Sequence, residues 1–124
     1  MPKGQNQKLK LYYLAKIMLE KTDDDHYLTM PEILEALRSC EVTADRKSIY
    51  TDLRDLEHLG VEVEGEPWGR SYRYHVVGRQ FEMPELKLLV DAIQSSRFIT
   101  AKKSNALIRK LESLGSEYEA RELR

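Results

Sequence analysis

Residues 42–60, VTADRKSIYTDLRDLEHLG, carry an apolar stripe and a polar stripe on one helical period. At about 3.6 residues per turn, Ile49, Leu53, Leu56 and Leu59 fall at i, i+4, i+7 and i+10, a side that faces a core. Lys47, Tyr50, Thr51, Arg54 and His58 gather on the opposite side, with Asp45 and Asp52 near the apolar flank. The donors of this helix therefore point outward together. A threonine oxygen can accept a free amide of the first turn, so Thr43 is expected as the N-cap, and Gly60 fits the left-handed position just past the end.

What precedes the helix gives it a setting. Residues 7–21 form a first helix with Leu9, Tyr13 and Ile17 on one face, and residues 22–26 are a polar break. Tyr27, Leu28 and Thr29 make a very short extended segment, followed by a helix at 30–40. There Thr29 and Glu32 form a capping box, Pro31 lies in the first turn, and Ile33, Leu37 and Cys40 line one face. Only Glu41 to Ala44 separate this helix from the next, which is helix-turn-helix spacing. The three aspartates at 23–25 invite a metal reading, but a hard-cation loop needs oxygen ligands at alternating positions and a glycine for the bend. No metal and no cofactor is expected.

After Gly60 the period changes from helical to two. Val61 and Val63 alternate with Glu62 and Glu64, residues 65–69 are turn chemistry, and Tyr72, Tyr74 and Val76 alternate with Arg73, His75 and Val77. This predicts a β-hairpin with a broad tip at Trp68 and Arg70. A helix-turn-helix running directly into such a hairpin is the winged variant. Residues 79–83 are a junction, and helices are expected at 84–98 and 101–115. Pro84 suits a first turn, Thr100 a cap and Gly115 an end, while residues 116–124 are helix-forming yet close no structure of their own. The fold class is mainly α with a small β-hairpin: a winged helix-turn-helix over 1–78, then an αα-hairpin within 79–124 that links or dimerises.

Composition bounds the function. The chain has 124 residues, room for one domain or a small domain with an appendage. Cys40 is its one cysteine, so no internal disulfide forms; with neither a leader nor a run of about 18 apolar residues, a soluble cytoplasmic protein without membrane contact is expected. There are 20 Lys and Arg against 21 Asp and Glu, net −1, whereas a nucleic-acid domain often has a pI above about 9. The charges are segregated, however. Residues 1–19 hold Lys3, Lys8, Lys10 and Lys16 without an acid, residues 67–79 hold Arg70, Arg73 and Arg79 without one, and acids concentrate at 23–25 and 62–66. His26, His58 and His75 lie in different elements, and no nucleophile elbow or phosphate-cradling glycine loop is present, so no enzyme is expected.

The segments TMPEILEAL, RKSIYTDLRDLEHLG, WGRSYRY and PELKLLVDAIQSSRFIT, in that order, resemble the N-terminal half of bacterial WYL-domain transcriptional regulators. The resemblance runs nearly end to end, with Thr51 standing where many members carry Arg. It implies sequence-specific binding of double-stranded DNA. The family's β-rich sensor domain falls outside these residues, so no effector is implied.

On this reading Arg46 and Lys47 meet bases and phosphates at the N-terminal end of the recognition helix, Ser48, Tyr50 and Thr51 hydrogen-bond, and Arg54 reaches backbone. Trp68, Arg70 and Arg73 of the wing follow the backbone or minor groove. A homodimer through 84–115 is expected, because the stripes Leu86, Leu89, Val90, Ile93 and Leu107, Ile108, Leu111, Leu114 exceed what two helices can cover. The alternative is a winged-helix module that binds protein.

Overall fold

Two helices of the first half start where a side chain, Thr29 or Asp45, accepts a free amide of the first turn. A computed structural model describes residues 7–123; Lys3, part of the basic start, lies outside the described residues. A 3-10 turn, Gln7–Leu9, leads into α1 (Lys10–Lys21), which buries Leu14, Ile17 and Met18. At its end the Thr22 hydroxyl donates to the Met18 carbonyl at 2.6 Å and accepts the Val76 amide at 2.9 Å. Strand β1 is Leu28–Thr29, and α2 is Met30–Ser39. The capping box forms as the sequence suggests, the Thr29 amide donating to Glu32 Oε1 at 2.8 Å and the Glu32 amide to Thr29 Oγ1 at 3.4 Å.

The connection to the next helix is longer than expected. Glu41 takes the left-handed conformation, φ 63°, that ends α2, and the Val42 amide donates back to the Leu37 carbonyl at 3.0 Å. Val42 is thereby turned wholly into the core. The N-cap of α3 (Arg46–Asp55) is then Asp45, not Thr43, with its carboxylate accepting the Ser48 amide at 2.8 Å. The α-helix gives way to a 3-10 turn, Leu56–Leu59, closed by Gly60 at φ 85°. Ile49, Leu53 and Leu56 are buried as the stripe requires, but Leu59 is 59% exposed. The cluster ends at Leu56, and Leu59 lies one turn beyond it.

Strands β2 (Glu62–Trp68) and β3 (Ser71–Val77) pair antiparallel from Glu62↔Val77 to Trp68↔Ser71, and β1 joins the far side of β3 through Leu28↔Tyr74. The hairpin tip is narrower than the broad turn expected. Gly65, Glu66 and Pro67 belong to β2, and the turn is Gly69 and Arg70 alone, Gly69 having φ 62°. Pro67 is tolerated because β2 is an edge strand in the order β1-β3-β2. The core gathers Leu14, Ile17, Met18, Met30, Ile33, Leu37, Val42, Ile49, Leu53, Leu56 and Val76, and Cys40 packs half-buried against it. Lys10 Nζ meets Asp52 Oδ2 at 3.0 Å, tying α1 to α3.

The chain divides into two compact units, Met1–Gly78 and Arg79–Arg124. The second contains three helices, α4 (Met83–Gln94), α5 (Ala101–Glu112) and α6 (Glu117–Leu123), rather than the two-helix hairpin expected. The Glu82 amide donates to Glu85 Oε1 at 2.9 Å before α4, and Thr100 caps α5 by accepting the Lys103 amide at 3.2 Å. Helix α6 has a capping arrangement of its own: the Ser116 amide donates to Glu119 Oε1 at 2.9 Å and the Glu119 amide to Ser116 Oγ at 3.2 Å. A Cβ on Gly115 would lie 2.9 Å from that carboxylate oxygen, so glycine lets it close over Ser116. Leu123 is buried with Leu86 and Val90, against Phe81, Met83, Ile108 and Leu111.

The protein is thus mainly helical with a small three-stranded antiparallel sheet. Among the described residues no helix is long and apolar enough to cross a membrane.

Candidate nucleic-acid interface

Helix α3 is anchored on one side by Ile49, Leu53 and Leu56, so its other residues are fixed outward by the helical period. Arg46, Lys47, Tyr50, Thr51 and Arg54 are all exposed. Ser48 is committed locally: its hydroxyl donates to the Asp45 carbonyl at 3.0 Å and its amide to the Asp45 carboxylate. That amide holds the Asp45 carboxyl below its usual range, keeping an anion at the start of the helix.

The hairpin separates the expected cations into used and unused. Arg73 is sandwiched between the Tyr27 ring, 3.8 Å from its guanidinium carbon, and the Trp68 ring, 4.0 Å away. It also bonds Glu66, the residue opposite in the register, through Nε at 2.6 Å and Nη2 at 2.5 Å. Its charge is therefore matched inside the protein, and what it does is stiffen the base of the tip and hold one face of Trp68. The indole remains 55% exposed. Arg79, the third member of the basic run, lies with Nε 3.7 Å from Glu119 Oε1 and donates to the Leu114 carbonyl at 3.3 Å. Arg70, at the tip, is exposed. Among the described residues Arg46, Lys47, Arg54 and Arg70 form no salt bridge with an acid of the chain.

Between α3 and the hairpin lies a pocket of about 320 Å³ lined by Tyr50, Leu53, Arg54, Val63, Gly65 and Tyr74. Its lining combines the apolar side chains of Leu53 and Val63 with two phenols and a guanidinium. Burial, then the neighbouring Tyr50 through charge and hydrogen bonding, pushes the Tyr74 phenol up to about 12, so the Tyr74 hydroxyl keeps its proton at neutral pH. The contribution of Gly65 and Tyr74 was not legible while residues 65–69 read as turn; counting the register back from a two-residue turn at Gly69 and Arg70 places them opposite each other.

The polar segment at 22–26 is used structurally. Asp23 Oδ1 bonds His26 Nδ1 and accepts the Asp25 amide, both at 2.8 Å, while His75 Nδ1 donates to the Asp23 carbonyl at 2.8 Å. Among the described residues no three His, Cys, Asp or Glu side chains gather to hold a metal ion. The chain matches no family model, no curated protein and no solved structure.

Proposed function

We propose that the chain is the DNA-binding portion of a transcriptional regulator that recognises a specific double-stranded sequence in the cytoplasm, binding rather than catalysing. Its first unit is read as a winged helix-turn-helix, with α2 and α3 as the helix pair and β2–β3 as the wing. The observation that carries this is the set of exposed cations without a salt bridge among the described residues, Arg46, Lys47 and Arg54 on the outer side of α3 and Arg70 at the hairpin tip, in a chain whose other basic runs are partly neutralised by internal partners. Phosphates are the ligand such a spacing of cations suits, with Tyr50 and Thr51 placed between them for base edges. The likeness of the sequence to WYL-domain regulators supports the same reading. Recovery of an enriched sequence from a randomised duplex library by the whole chain tests it; no enrichment, together with no retention of duplex, would favour the protein-interaction module instead.

The wing's part can be measured separately. Arg70 is a long cation on a two-residue turn, and phosphate contacts carry no sequence information. Arg70→Ala is expected to weaken selected and mixed-sequence duplex alike, lowering the salt slope by about one unit. A sharp change in sequence preference would assign Arg70 to bases.

A homodimer through the second unit remains the proposal, on fewer residues than the sequence suggested. Leu86 and Val90 are consumed by Leu123 of α6, and Ile108 and Leu111 pack with them. Leu88, 70% exposed on α4, and Phe98, 99% exposed after it, have no such cover, and a second copy is the occupant proposed. Light scattering at tens of micromolar should give the mass of two chains, and Leu88→Glu with Phe98→Glu the mass of one. A wild-type monomer would remove the dimer.

A further inference from the structure

The core grips α3 from one side only, and Tyr50 stands on the other, 38% exposed. A phenol that contacts a ligand loses affinity to its own rotational freedom unless a neighbour holds it. Tyr74 is placed to do so. Its ring centroid is 6.5 Å from that of Tyr50 and 6.5 Å from that of Tyr72, so three rings run from the helix to the hairpin strand. Tyr50 and Tyr74 both line the same pocket.

The ring's position is specified from behind as well. Gly65 pairs with Tyr74 in the register, and a Cβ built on it would come 2.8 Å from Tyr74 Cε1 and 3.0 Å from Cδ1. Glycine inside a strand weakens that strand, and here it does not serve a left-handed turn. What it provides is room for the edge of an aromatic ring to approach the β2 backbone closely. From there the ring reaches the side of α3 that carries Arg46, Tyr50 and Arg54. Arg46 is close enough for its charge to act on the Tyr74 phenol.

We infer that Tyr74, seated on Gly65, is a positioning residue that fixes Tyr50 and couples the hairpin to the recognition helix, so that sequence preference depends on a residue that touches no base. This rests on the DNA-binding reading. It makes Gly65 part of the same device, since the ring cannot be seated over any residue with a side chain without moving.

The test uses the whole chain, the duplex enriched from a randomised library, and a mixed-sequence duplex as the reference. Tyr74→Leu removes the ring, Tyr74→Phe keeps it, and Gly65→Ala displaces it without altering it. Tyr74→Leu and Gly65→Ala are each expected to lower the preference for the enriched duplex by about fivefold, the size usual for contacting residues, and Tyr74→Phe to restore most of it. In a Tyr50→Ala background neither should lower it further. Circular dichroism confirms folding, and if Tyr74→Leu does not fold, Gly65→Ala decides. Unchanged preference in Gly65→Ala and Tyr74→Leu, or an equal drop with Tyr50 already removed, would overturn the inference while leaving DNA binding standing. A wild-type chain that retains no duplex at low salt would overturn both.

Discussion

Under the proposed function, alanine at Arg46, Lys47 and Arg54 together is expected to remove most of the affinity for duplex DNA. A cation at a phosphate or base edge contributes about 1 kcal/mol or more, so the triple replacement costs on the order of a hundredfold and lowers the salt slope by up to about three units. Fold loss does not explain such a result, because the three side chains are exposed and, among the described residues, in no internal salt bridge, and exposed substitutions of this kind stay within about 0.5 kcal/mol. The thermal transition should therefore be unmoved while binding collapses. Equal affinity for wild type and variant would show that the outer side of α3 does not face the ligand.

The largest effect on stability is expected from Ile49→Ala. Ile49 has no exposed surface and lies where α3 meets the core, so truncation removes buried methylenes and leaves a cavity, costing roughly 2–5 kcal/mol. In a unit of this size that lowers the melting temperature by roughly 10–30 °C, measured by calorimetry or circular dichroism. Leu59→Ala is the matched control. Both leucine and isoleucine lie on the stripe read from the sequence, yet Leu59 is largely in solvent, and its replacement should cost less than about 0.5 kcal/mol. Comparable losses from the two would mean that the core continues to Gly60.

That pair shows where the sequence was informative. A stripe locates a buried face but not the point along the helix at which neighbours stop covering it. Local chemistry was legible: the Thr29 and Glu32 box, the Thr100 cap and the left-handed Gly60 all involve residues within one turn of each other. The cap of α3 was not. Thr43 and Asp45 are both capping residues, and the choice depends on Val42 being drawn into the core after Glu41 turns the chain left-handed. Residues 116–124 read as helix-forming, but their closure as α6 onto the unit was not legible although Ser116 and Glu119 carry the capping spacing, because seven residues have little helical stability until Leu123 is buried.

The candidate interface was legible in the same proportion. Arg46, Lys47, Tyr50, Thr51 and Arg54 stand outward because the helical period alone decides it. Pairing across the fold decides the others: Arg73 is spent on Glu66 and two rings, Arg79 lies beside Glu119, and Ser48 on its own cap. Charge runs in the sequence overstate the cations available to a ligand.

The most direct measurement is the duplex affinity of the unmodified chain followed between about 50 and 200 mM salt, where each phosphate neutralised adds about 0.9 to the slope of log K against log salt. With Arg46, Lys47, Arg54 and Arg70 engaged, affinity should fall along a straight line of slope near −3 to −4 for each chain bound. A slope near zero, or no binding at the lowest salt, would contradict the account.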